Sequence, residues 1–120
     1  MHKTIDIRIK SLEPLISPAQ LSSALPVSDE LVDFIAQSRT VVNDIIKGRD
    51  TRLLGIVGPC SIHDPDAALE YAEKLKKLSE EVSDKMYLVM RTYFEKPRTI
   101  GGWKGLIMDP MLDGSYDIQK

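Results

Sequence analysis

The chain has 120 residues, of which 42% are hydrophobic and 28% charged, a composition that excludes a disordered or fibrous segment and fits one soluble globular domain. Its 16 basic and 18 acidic residues leave a net charge near −2 with no long run of either sign, which argues against binding to nucleic acid or to a membrane surface. No apolar stretch approaches the roughly 20 residues a bilayer span needs, and the opening MHKTIDIRIK lacks the apolar core of a secretory signal, so a cytoplasmic location is expected.

Ile5, Ile7 and Ile9 alternate with Asp6, Arg8 and Lys10, the period-two pattern of a half-buried strand. No hairpin return follows, so this strand is expected to pair with a distant segment or with another subunit. Ser17-Pro18-Ala19-Gln20 reads as a helix start, since Ser can cap, Pro suits the first turn and Gln can reach back; Pro26 keeps that helix short. Ser28 caps a second helix whose Leu31, Phe34, Ile35, Val42, Ile45 and Ile46 fall largely on one stripe, and Gly48 can end it in a left-handed conformation. The apolar run from Leu53 to Val57 has the character of a parallel-sheet strand covered on both faces. Asp64 and Pro65 open a further helix, expected to end near Asp84 and to bury Ala68, Tyr71, Ala72, Leu75, Leu78 and Val82. On its outer side Glu70 can pair with Lys74 and Glu73 with Lys77. Met86 to Met90 is again apolar and continues through Arg91-Thr92-Tyr93-Phe94, completing one right-handed β-α-β unit.

Both strands of such a unit end on one rim, so element order alone brings Cys60 towards Arg91. Beyond Phe94, EKPRTIGGWKG sets Lys96, Arg98 and Lys104 among Gly101, Gly102 and Gly105. Phosphate is the natural ligand of such a loop: Arg offers a planar fork, Lys a mobile charge, and glycines let backbone amides approach closely. The plain alternative is a solvated loop that only aids solubility. The spacing matches neither a P-loop nor a dinucleotide fingerprint. Cys60, the only cysteine, cannot form an internal disulfide and is left as a packed, reactive or metal-binding thiol. A thiolate suits a first-row divalent metal, and Cys60 with His63 has the spacing of a metal pair. The modest roles are preferred for the neighbours, a packed histidine for His63 and a helix cap for Asp64, because two ligands alone leave a metal site incomplete. Nucleophilic catalysis by Cys60 would have no base candidate beyond His63.

Together "GPCSIHD", "MRTYFEKPRT" and "GWKGL" closely resemble class I 3-deoxy-D-arabino-heptulosonate-7-phosphate (DAHP) synthase. The resemblance covers essentially the whole chain, and "DIRIK" and "RLLGIVGPC" resemble the microbial, feedback-regulated form. The related 3-deoxy-octulosonate-8-phosphate synthases share the Gly-Pro-Cys strand end but typically carry Lys-Ala-Asn-Arg where this chain has Lys-Pro-Arg-Thr. The resemblance implies an enzyme that condenses phosphoenolpyruvate with erythrose 4-phosphate and water, releasing phosphate, at the opening of the shikimate route to aromatic amino acids. It also implies a metal-dependent (β/α)8 barrel. By the same resemblance, Cys60 looks like a ligand of a divalent ion of the Mn, Fe, Co or Zn class. Arg91 and Lys96 look like catalytic phosphoenolpyruvate contacts, and Lys96-Pro97-Arg98-Thr99 like the erythrose 4-phosphate segment. The Asp6 to Lys10 region, with Asp6 and Ile9, looks like an arm that helps form the site of an aromatic amino acid inhibitor across the interface of a homo-oligomer, a dimer or tetramer.

The expected fold is therefore α/β, the N-terminal part of a TIM barrel preceded by a strand-and-helix extension. Residues 1–50 form the regulatory and subunit-contact extension, and residues 51–120 the first β/α units with the phosphate loop. A complete barrel takes about 250 residues, so the chain is expected to be an N-terminal fragment of the enzyme, inactive alone. The alternative is a noncatalytic regulatory or phosphate-binding module derived from that enzyme.

Overall fold

The computed structural model describes residues 7–9, 11–98 and 100–118. Ile5, Asp6, Lys10 and Thr99 lie outside the described residues. Helix α1 spans Pro18–Ala24 and begins with a reciprocal capping box: Gln20 N donates to Ser17 Oγ at 3.2 Å and Ser17 N to Gln20 Oε1 at 3.0 Å. Helix α2 spans Asp29–Ile46, capped by Ser28, whose Oγ accepts from Leu31 N at 3.3 Å, and Gly48 follows it with φ 70°.

Strand β1 (Leu53–Val57) and strand β2 (Met86–Met90) form a parallel two-stranded sheet, in register from Leu53↔Met86 to Val57↔Met90. Parallel strands need a crossover, supplied by helix α3 (Pro65–Glu81). Asp64 Oδ1 starts α3 by accepting from Asp66 N at 2.9 Å and Ala67 N at 3.2 Å. Helix α3 packs on β2 and α2 on β1. At the opposite end of the sheet from Val57, Arg52 grips the Asp50 carboxylate, donates from Nη1 to Ser83 O at 3.2 Å and stands 5.4 Å from the Tyr87 ring centroid. Its hydrogen bonds hold the Asp50 carboxyl below the usual carboxylate range.

Several expectations are corrected. Ile7 and Arg8 lie in a turn and Ile9 has no regular structure, because the alternating segment finds no partner strand among the described residues. Strand β1 is not covered on both faces: Leu53 is 67% and Ile56 68% exposed. Helix α3 stops at Glu81 rather than near Asp84, with Val82 as its cap. Along it Ala68, Ala72, Leu75 and Val82 are half-buried, but Tyr71 and Leu78 remain exposed. Glu70 and Lys74 pair at 2.5 Å, whereas Glu73 and Lys77 form no ion pair. Strand β2 ends at Met90 and does not continue through Phe94, because Gly58 and Pro59 terminate the ladder it would extend.

The surface area measures how little of the molecule is sealed. The chain exposes 10319 Å², whereas a compact monomer of this mass exposes about 6,500 Å². Among the described residues Ile62 is the one buried hydrophobic side chain, and the chain extends 72 × 32 × 28 Å. Local capping and one short ladder therefore hold the elements more than a core does. The isolated 120-residue chain should bind a hydrophobic dye and melt over a broad range or aggregate; a sharp, cooperative calorimetric transition of a monomer would contradict this.

Candidate functional site

Where the ladder ends, the two departing segments stay laced together. Arg91 N donates to Val57 O at 2.7 Å, and Ile62 N donates to Tyr93 O at 2.7 Å. Gly58 makes this approach possible: at φ 151°, a Cβ there would lie 2.7 Å from Arg91 O, closer than any side chain tolerates. Cys60 is thereby carried, exposed, onto the β2 side of the rim.

Two cations converge on Cys60. Lys96 Nζ donates to its Sγ at 2.9 Å, and Arg91 Nη2 donates to its carbonyl at 3.2 Å. The Arg91 guanidinium also lies 5.2 Å from the Tyr93 ring centroid, a cation–π contact that fixes its heading. The hydrogen bond from Lys96 and then the Lys96 charge hold the Cys60 thiol below the ordinary cysteine range. Arg91 and Arg98 add weaker pulls in the same direction, and partial desolvation opposes them.

Lys96 begins a loop that closes on itself. Glu95 and Gly105 form an antiparallel bridge, flanked by Lys96 N donating to Lys104 O at 2.9 Å and Leu106 N donating to Phe94 O at 2.9 Å. Gly105 cannot be replaced without a shift, since at φ 120° a Cβ would meet Phe94 O at 2.4 Å. Across the loop Lys104 Nζ donates to Arg98 O at 3.0 Å. Such a closed loop, with Arg98 exposed and Lys96 and Lys104 half-buried beside it, can receive an anionic group such as phosphate.

Cys60, Arg91 and Lys96 are thus brought together, with the exposed Pro97 and Arg98 in the adjoining loop. Thr99 and Asp6 lie outside the described residues, and Ile9 is 49% exposed and does not join this group. His63 is exposed rather than packed, because the chain turns outward between Ile62 and the α3 cap, while Asp64 caps α3 as expected. The donor set fits a metal only in part: Cys60 is an accessible thiolate donor, but the described residues contain no group of three His, Cys, Asp or Glu side chains able to hold an ion. Sequence reasoning missed the direct Lys96–Cys60 contact, which depends on how the basic loop folds back. It also missed Tyr93 beneath Arg91, signalled only by their two-residue spacing, and Asp109, which no motif marks.

The pH dependence of Cys60 alkylation tests this electrostatic arrangement. A depressed thiol pKa keeps the nucleophilic thiolate present at lower pH, so iodoacetamide should modify metal-free protein with a midpoint below that of an unperturbed thiol. Lys96→Met should move the midpoint upward; an unmoved midpoint would contradict the role of Lys96.

Comparison with known proteins places this geometry in context. The family model described as the DAHP synthetase I family matches residues 23–120. The Tyr-sensitive phospho-2-dehydro-3-deoxyheptonate aldolase of Salmonella typhimurium is 58% identical over 114 residues, which are 95% of this chain and 32% of that protein. The Trp-sensitive protein of Enterobacter agglomerans is 50% identical over 120 residues, 100% of this chain and 34% of that protein. The solved structure of the aldolase from Francisella tularensis SCHU S4 aligns with a TM-score of 0.85 at 46% identity, covering 92% of this chain and 33% of that one. The chain therefore spans about a third of the length of the relatives it matches. With the family model matching residues 23–120, from the last turn of α1 through the whole rim, this chain belongs to the DAHP synthetase I family.

Proposed function

We propose that this chain serves, within a protein of its relatives' length, the synthesis of DAHP from phosphoenolpyruvate, erythrose 4-phosphate and water with release of phosphate, the first step towards the aromatic amino acids. The observation that carries the reading is the convergence of Cys60, Arg91 and Lys96 at one sheet rim beside a basic loop in a member of this family. In the proposed whole protein β1 and β2 are the first strands of a (β/α)8 barrel, residues 1–50 are the preceding extension, and catalysis sits at the C-terminal rim, where barrels of this kind carry it.

The chemistry asks for two phosphorylated anions held side by side while a carbon–carbon bond forms between the enol-phosphate and the aldehyde. Arg91, prealigned by Tyr93 and the Cys60 carbonyl, and Lys96 bind and orient phosphoenolpyruvate. Lys96, Pro97, Arg98 and Thr99 form the segment that receives erythrose 4-phosphate, with Arg98 neutralising its phosphate. Cys60 is the residue here that holds a divalent metal of the Mn, Fe, Co or Zn class, with further donors from elsewhere in the protein. When bound, that metal supplies Lewis acidity. Asp6 and Ile9 belong to an arm that contributes to an aromatic amino acid site in a homo-oligomer, a reading supported by relatives named as Tyr-, Trp- and Phe-sensitive. No described helix is long and apolar enough to cross a membrane, and a cytoplasmic location is part of the proposal.

Two variants of the whole protein test these roles by steady-state kinetics of phosphate release. Arg98→Ala should raise KM for erythrose 4-phosphate on the order of ten- to a hundredfold, the worth of a charge-assisted hydrogen bond, with a smaller effect on phosphoenolpyruvate. Unchanged kinetics for both substrates would contradict the assignment. Cys60→Ser should abolish metal-dependent turnover and reduce bound metal; full activity with undiminished metal content would overturn the ligand role.

A further inference from the structure

Among the described residues Asp109 is the one charged side chain that is buried, at 3% exposure, in a chain that buries little else. A sequestered carboxylate is costly unless it is hydrogen-bonded, so its partners show what it secures. The backbone of Asp109 is tied to the return limb of the basic loop and to Leu112, whose N donates to Asp109 O at 3.3 Å, and its carboxylate is tied to Gly114 beyond that limb. Asp109 N donates to Gly105 O at 3.0 Å, Trp103 Nε1 donates to Asp109 O at 2.7 Å, and Gly114 N donates to Asp109 Oδ2 at 3.0 Å.

These bonds make a latch. The indole of Trp103 reaches across the turn to Asp109, the Asp109 amide ties back to Gly105, and the carboxylate draws Gly114 over the far side. Gly105 is the residue that bridges Glu95, and its neighbours Lys104 and Leu106 bond to Lys96 and Phe94. Lys104 in turn holds the Arg98 carbonyl. The return limb thus sets the backbone from which both Lys96 and Arg98 project.

We propose that Asp109 is a positioning residue: by holding Gly114 N, its carboxylate anchors the Asp109 backbone to which Trp103 and Gly105 bond, fixes the Gly105 limb and so holds Lys96 and Arg98 at the spacing that receives phosphorylated substrate. This rests on the reading of those two cations given under the proposed function. Asp109 Oδ1 has no hydrogen-bond partner among the described residues, so an Asn can keep the Gly114 bond through its oxygen and place its amide where no donor stands. An Ala cannot.

Kinetics of Asp109→Ala and Asp109→Asn in the whole protein decide between positioning and a merely structural role. The Ala variant should raise KM for erythrose 4-phosphate about tenfold while kcat changes less than about threefold, and Asn should restore KM to within about twofold. Equal KM values for Ala and Asn, or a loss confined to kcat or folded yield, would overturn the proposal. If the Ala variant does not fold, Trp103→Phe, which removes the 2.7 Å bond, should raise the same KM, and an unmoved KM would overturn it. Should the unaltered protein release no phosphate in response to erythrose 4-phosphate, the functional reading itself fails. Binding of inorganic phosphate by calorimetry then decides the latch: weakened by Ala and restored by Asn supports it, and equal affinity overturns it.

Discussion

The parallel register of β1 and β2, ending in the pair Val57↔Met90, is the constraint on which the rest of the structure depends. Parallel pairing forces α3 to cross over and return the chain to the same edge, so both strands deliver their C-terminal segments to one rim. Gly58 then lets the first segment run within touching distance of Arg91, and the backbone bonds from Arg91 to Val57 and from Ile62 to Tyr93 keep the segments together past the ladder. Cys60 and Lys96, separated by 36 positions in sequence, meet at 2.9 Å only because of this arrangement. A slip of the register would separate the thiol from both cations.

Charge is organised by that geometry rather than by composition. The chain is slightly acidic overall, at −2, yet Arg91, Lys96, Arg98 and Lys104 are gathered at the rim and in its loop. Several acidic side chains are occupied elsewhere: Asp64 caps α3, Asp50 grips Arg52, Glu70 pairs with Lys74 and Asp109 is sealed beneath the loop, which leaves Glu95 as the acidic residue beside Lys96. The local field therefore favours anions, which explains both the acidified thiol and the suitability of the site for phosphate.

Features set by a few neighbouring residues were legible in the sequence. Ser17 with Gln20, Ser28, Gly48 and Asp64 each act as their local chemistry requires, and the apolar runs at Leu53–Val57 and Met86–Met90 are the two strands. The proximity of Cys60 and Arg91 was legible too, because it follows from element order. Burial was less so. Leu53 and Ile56 carry the pattern of a doubly covered strand, but pattern reports the propensity to be covered, not what this chain supplies to cover it. Tyr93 and Phe94 continue the apolar run of β2, yet Pro59 leaves them no ladder to join. The latch around Asp109 depends on Trp103 reaching back across a turn, which neither periodicity nor any motif encodes.

In the proposed barrel, further strands and helices would cover the open faces of β1 and α2, and further donors would join Cys60 at the metal. A crystal structure of the whole protein with phosphoenolpyruvate and a divalent metal tests that reading most directly. The expected result is the metal on Cys60 Sγ and the anionic oxygens of phosphoenolpyruvate within hydrogen-bond distance of Arg91 and Lys96. Ligand and metal bound elsewhere, with Cys60 still held by Lys96 alone, would contradict it.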